Sequence, residues 1–200
     1  MAREDLAFIA ALLPIVCVVP YLRDTLRGTT RPQRVSWFVF AALSIVAAVS
    51  QLAEGATAGA WLSSGSALGF TLVAVASVKH GEGGATMQDR IALLIAMAGI
   101  AGSLLFRVAM LALLAVIVAE LVAVSLTVRK AYRDPSSETS SAWALDGLAG
   151  VAALLAIVET SWTAVAYPLH HVAVNAAVLV AIATGRYAAR GKPLIVVTTS

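Results

Sequence analysis

Four ionisable side chains and one amide stand where apolar sequence leaves them few partners. Glu120 lies near the middle of an apolar run, Asp146 one turn into another, and His170, His171 and Asn175 share a third. An ionisable group at bilayer depth costs at least about 2.5–3.5 kcal/mol, so it faces protein or water and marks a candidate site. Glu120, its proton held by desolvation, could couple a proton to transport or donate a hydrogen bond to a solute; the plainer reading is a structural hydrogen bond to a neighbouring helix. Asp146 reads as a cytoplasmic gate or cavity-wall residue, or as a carboxylate pairing with Arg129 or Lys130 at headgroup level. His171 and Asn175, four residues apart, fall about 40° apart on a helix and share a face. His170 and His171 fall about 100° apart, which opposes joint ligation of one ion, and no His-Glu or Cys motif accompanies them, so no metal is expected.

These residues need elements to hold them, and composition says in what solvent. The 200-residue chain is 60% hydrophobic and 12% charged, with a mean hydropathy of +0.89. Soluble domains are about 45–50% apolar and about 25% charged, so the bilayer is the expected solvent. The pI of about 9.4 does not point to nucleic acid, because the basic residues sit in short segments between apolar runs and no basic helix interleaves with aromatics. Cys17 is the lone cysteine and excludes an internal disulfide. The first apolar run follows MARED, which is not net positive, and lacks a small-x-small cleavage site, so a retained helix is expected rather than a signal peptide. There is no P-loop, no G-x-S-x-G and no dinucleotide fingerprint; neither an enzyme nor a cofactor is expected.

Seven spans are predicted, at roughly Leu6–Leu22, Ser36–Ala53, Ala60–Val78, Gln88–Leu104, Arg107–Val128, Ala142–Thr160 and Tyr167–Gly185. Gly102-Ser103 before Arg107 divides the long fourth and fifth apolar stretch. Arg23, Arg27, Arg31, Arg34, Lys79, Arg90, Arg129, Lys130, Arg133, Arg186, Arg190 and Lys192 fall on one side of this plan; only Arg3 and Arg107 fall on the other. The positive-inside rule then puts the N-terminus outside and the C-terminus in the cytoplasm, which an odd number of spans requires. Trp61, Trp162 and Tyr167 near the outer ends read as interfacial anchors.

An internal repeat emerges at an offset of 106 residues. Trp37 meets Trp143, Arg23 meets Arg129, Thr30 meets Ser136, Ile45 meets Val151 and Ala47 meets Ala153. The basic loops RDTLRGTTRPQR and RKAYRDPSSETS precede the paired tryptophans. Spans one to three match spans five to seven, and the fourth restores orientation between two parallel units. The division predicted is 1–80 for the first triple-helix repeat, 81–106 for the linker helix, 107–186 for the second repeat and 187–200 for a cytoplasmic tail.

This 3+1+3 plan, with its Pro-ended first span before a basic, Ser-containing loop, resembles the SWEET and PQ-loop transporter superfamily over roughly residues 6–186. The family's Pro-Gln pair would stand at Pro20-Tyr21, where Tyr21 replaces Gln; the literal Pro32-Gln33 falls inside the loop, and the second repeat has Leu126-Thr127 at the offset. The resemblance implies an all-α membrane fold of parallel triple-helix bundles in a cell membrane. It implies alternating access for a small polar solute, a sugar first, with Asn175 at the position of the family's solute-binding Asn. The partner Asn of span three has no counterpart, because the offset maps His171 and Asn175 onto Gly65 and Gly69. Substrate-binding candidates are thus Asn175, His171, Glu120, Gly69 and Gly65. Gate candidates are Trp37, Trp143, Asp146 and Tyr21, with Gln51 and Glu159 at the outer mouth. For Gly65 and Gly69, the alternative is close helix packing alone. A nicotinamide riboside-like vitamin, or a non-transporting receptor or scaffold on the same fold, are the other functions weighed. The bilayer and the solute are the partners expected, with self-association left open.

Overall fold

The structure, a computed structural model, describes residues 3–53, 58–84, 86–105, 109–158 and 162–190. They form seven helices: α1 Arg3–Leu26, α2 Arg34–Ala53, α3 Ala58–His80, α4 Met87–Leu105, α5 Ala109–Arg133, α6 Ser140–Ala156 and α7 Trp162–Arg190. A 3-10 turn at Pro135–Ser137 precedes α6. No strand occurs among the described residues. Each predicted apolar run coincides with one helix. The largest boundary differences, five residues each, are at the end of α5, at Arg133 rather than Val128, and at both ends of α7, which runs from Trp162 to Arg190 rather than from Tyr167 to Gly185.

Local chemistry explains where the helices stop. After α1 the chain turns at Gly28, whose φ of +76° suits glycine. The amides of Thr29 and Thr30 donate to the Asp24 carbonyl there, at 3.0 and 3.1 Å. Gln33 precedes α2 and caps it: its Oε1 accepts from the Ser36 amide at 3.0 Å, while its Nε2 donates to Asp89 at 2.7 Å. So Pro32-Gln33, set aside in the sequence, ties the start of α2 to the start of α4. The Arg34 guanidinium donates to the carbonyls of Ser77, Gly81 and Gly83, satisfying the C-terminal end of α3. Thr86 and Asp89 form a reciprocal capping box at α4.

Helix packing follows a regular order. α3 lies against both α1 and α2, and α7 lies against both α5 and α6. Across the middle, α1 packs on α6 and α2 on α5, while α4 packs chiefly on α5. Small residues set the closest approaches. A Cβ on Gly65 would stand 2.1 Å from the Ala11 carbonyl oxygen, and one on Gly69 would stand 2.6 Å from that of Pro14. Only a glycine lets α3 lie so near the α1 backbone.

Every helix turns large apolar side chains outward, among them Val19, Leu52, Val75, Leu94, Leu121, Leu155 and Val180. The interior meanwhile holds Ser36, Ser44, Ser66, Glu120, Asp146, His170, His171 and Asn175. An exterior so apolar around a polar interior suits lipid rather than water. Among the described residues, three helical stretches are long and apolar enough to cross a membrane: Arg3–Leu26, Ala60–His80 and Ala164–Arg190. These spans imply membrane association. Trp61 and Trp162 are half exposed, as anchors would be. Tyr167 corrects its expectation as an anchor. It is 1% exposed, because α7 begins a turn and a half before it and directs the ring inward, 6.3 Å from the His171 ring.

Candidate functional site

The buried polar residues gather where α5, α6 and α7 meet α1, α2 and α3. Asp146, six residues into α6, lies about 9 Å along that helix from its first residue. Its carboxylate accepts a 2.9 Å hydrogen bond from the Asn175 amide and lies 3.0 Å from Nε2 of His171. The Cys17 thiol of α1 is 3.9 Å away. Asp146 therefore pairs inside the bundle, with α7. The alternative pairing with Arg129 or Lys130 is not made: Arg129 donates to Gln88, and Lys130 is engaged by Glu138 at 2.5 Å.

Glu120 has its own partner. Its carboxylate lies 2.7 Å from Nε2 of His170. The two adjacent histidines thus serve different carboxylates on different helices, as their separation around α7 dictates. All four side chains in these pairs are nearly sealed from solvent. Pairing is what makes their burial tolerable. Among the described residues, no group of three or more His, Cys, Asp or Glu is arranged to hold a metal ion.

The amide of Asn175 is oriented unambiguously. Its nitrogen faces two acceptors, the Asp146 carboxylate and the His171 carbonyl at 3.0 Å, so Oδ1 is the remaining atom. That Oδ1 is buried and lacks a hydrogen-bond partner. A cavity of about 20 Å³ lies here, lined by Trp37, Phe40, Phe70, Glu120, Trp143, Asp146, His171, Val174 and Asn175. It has room for about one water. Gly65 and Gly69 are not among its lining residues; they face α1.

Aromatic rings close the cavity. Trp37 lies 5.6 Å from Trp143, 5.5 Å from Phe70 and 5.8 Å from Phe40, centroid to centroid. Phe70 stacks nearly parallel on His171, at 13° and 6.4 Å. Below them Tyr21 is 4.8 Å from Trp37.

Toward the connections the rings are held by hydrogen bonds. The Trp37 indole donates to Tyr21 Oη at 3.1 Å, Tyr21 donates to Glu138 at 3.1 Å, and the Trp143 indole donates to Glu138 at 2.8 Å. Glu138, with a side chain at 0% exposure, is balanced by Lys130. A second layer lies outside it. Thr30 and Thr139 share a 2.6 Å hydrogen bond, the Arg31 amide donates to the Ser137 carbonyl, and Arg31 pairs with Asp134. A hydrogen bond from the Ser136 hydroxyl, then the Arg31 charge, holds the Asp134 carboxyl below the usual aspartate range.

Glu138 was not singled out by the sequence, Lys130 was weighed only as a partner for Asp146, and His170 only as a possible metal ligand beside His171. Glu138 sits in a Ser/Thr-rich connection and reads there as a solvated carboxylate; only its distance of five residues from Trp143 hinted otherwise. Of the expected outer-mouth residues, Glu159 and the Gln51 side chain lie outside the described residues. Comparison with protein-family models, with curated proteins and with solved structures finds no match for this chain.

Proposed function

We propose that this protein is an integral membrane transporter of seven spans. It moves a small polar solute through alternating access between two triple-helix bundles, α1–α3 and α5–α7, joined by α4. The observation that carries this reading is the buried polar cavity at the junction of the two units, with its unsatisfied Asn175 Oδ1. An orphaned buried acceptor costs about 1–3 kcal/mol, a cost that a bound solute would remove.

Packing order supports the repeat. Exchanging α1 with α5, α2 with α6 and α3 with α7 turns the α1–α6 contact into α5–α2, and both contacts exist. Trp37 and Trp143, equivalent at the 106-residue offset, meet beside the pseudo-axis this implies. The connections rich in arginine pack on one another through the Arg34–Gly83 and Arg31–Asp134 contacts. They share one end of the bundle, which supports a cytoplasmic assignment for that end and an outer N-terminus.

In this reading the structure is an occluded state. The ring cluster and the Glu138 layer seal the cytoplasmic side, and parting α1 and α2 from α5 and α6 there would admit the solute. The resemblance to SWEET transporters makes sugars the first solutes to test, with a nicotinamide riboside-like vitamin next. Uptake of a labelled solute panel into proteoliposomes is the experiment. Uptake that Asn175→Ala abolishes is the expected result; no uptake of any solute by well-folded protein would favour a receptor or scaffold.

A further inference from the structure

We infer that the solute bound in this cavity carries a positively charged ammonium-type group, held at Asp146 and Asn175 within the aromatic cluster. The inference rests on the transporter reading for its setting, but it concerns only what the cavity recognises.

Charge comes first. The lining residues include two carboxylates, Glu120 and Asp146, and no lysine or arginine. Among the described residues, the potential cations at this site are His171 on the wall and His170 behind Glu120, each already beside one carboxylate. With both carboxylates ionised, the group of four carries a charge between minus two and zero, whatever the histidines do. An anionic solute finds nothing to neutralise it. A cation does, most strongly when His171 is neutral.

Hydrogen bonding points the same way. The two neighbours of the Asn175 amide nitrogen are acceptors, so the free atom is the carbonyl oxygen. It asks for a donor, which an N–H-bearing cation supplies. The rest of the wall is aromatic: Trp37, Phe40, Phe70 and Trp143. Aromatic faces attract cations by about 0.5–2 kcal/mol, with tryptophan the best. Carboxylate, free carbonyl and aromatic faces together form a cation site. A sugar would use more donors and acceptors than this wall offers.

Competition with protons follows. The groups facing Asp146 are His171 and Asn175 of α7 and Cys17 of α1, with Glu120 of α5 and Tyr167 of α7 close enough to act electrostatically. Protonating His171 turns its existing 3.0 Å contact with Asp146 into an ion pair and cancels the negative charge that a cation would answer. Affinity for the solute therefore falls as pH falls.

Binding by the purified full-length chain in detergent tests this, read by thermal shift and calorimetry. Methylammonium and benzylammonium are compared with their uncharged counterparts, methanol and benzyl alcohol, and with glucose and lactate. The expected result is stabilisation by a cation, with its neutral counterpart weaker by about tenfold or more. Asp146→Asn should abolish that preference, and the wild-type preference should shrink on acidification. Equal response to charged and neutral probes, a stronger response to glucose or lactate, or no response to either cation overturns the inference. If Asp146→Asn does not fold, the wild-type pH series and Trp143→Leu decide the same question. Asn175-dependent sugar uptake without cation binding would sink this inference and leave transport standing. Cation binding without uptake would do the reverse.

Discussion

The Tyr21 hydroxyl donates a 3.1 Å hydrogen bond to Glu138, joining α1 to the connection that precedes α6. Through this contact the first three helices are latched to the last three. The same carboxylate accepts from Trp143 and neutralises Lys130. Removing its charge would weaken every bond in the layer at once.

Glu138→Gln should therefore open this end of the bundle more often. Cys17 is a built-in reporter: it is buried and lies beneath Tyr21, Trp37 and Trp143. A lost charge-assisted hydrogen bond of about 1.5–3 kcal/mol predicts alkylation of Cys17 about 10–100-fold faster. The measurement is maleimide labelling of Cys17 in membrane vesicles of either orientation, the variant compared with the wild type. An unchanged rate would show that Glu138 does not hold the layer closed.

Gly65→Ala and Gly69→Ala should each destabilise the protein. The added methyl meets α1 backbone at 2.1 and 2.6 Å, and backbone cannot move aside as a side-chain tip can. Overpacking of this kind costs about 1–3 kcal/mol. Thermal unfolding in detergent reads it, and wild-type stability in both variants would refute the close approach of α3 to α1.

His170 and Glu120 should behave as one unit. His170→Ala leaves a buried carboxylate and Glu120→Ala a buried imidazole, each without the 2.7 Å partner. Each single change should cost about 1–3 kcal/mol or more, and the double change less than their sum. Strict additivity in denaturant unfolding would mean that the pair does not interact.

Asp134 gives a pH dependence whose sign is fixed. Its folded carboxyl titrates below the usual range, because Ser136 and Arg31 favour the ionised form. The stabilisation is present above the ordinary aspartate pKa of about 3.9 and is lost as pH falls through the lower folded value. Asp134→Asn should flatten that part of the stability-against-pH curve. The effect should be small, since the side chain is 38% exposed.

Topology makes the sharpest demand. The seven crossings proposed above require Glu4 and Arg190 to lie on opposite sides of the membrane. In a Cys17→Ser background, single cysteines at these two positions should label from opposite faces of oriented vesicles. Labelling from the same face would remove the parallel repeat, and with it the junction that defines the cavity.

The chain's helices were readable from residue types because each apolar run must satisfy its own backbone hydrogen bonds, and length and hydropathy say where that happens. That Glu120, Asp146, His171 and Asn175 would need partners was readable too, since a polar group in such a run needs a reason. Partnership was not readable. Cys17 meets Asp146 across 129 positions, Tyr21 meets Glu138 across 117, and Glu120 meets His170 across 50. No periodicity links positions so far apart; only the packing of one helix on another chooses among acceptors of equal chemistry. For the same reason Gly65 and Gly69, read as either cavity wall or contact, turn toward α1, and Glu138, in a Ser/Thr-rich connection, proves to be buried against the Trp143 indole, the Tyr21 phenol and Lys130. Sequence sets what each side chain can do, and the tertiary fold decides which neighbour it does it with.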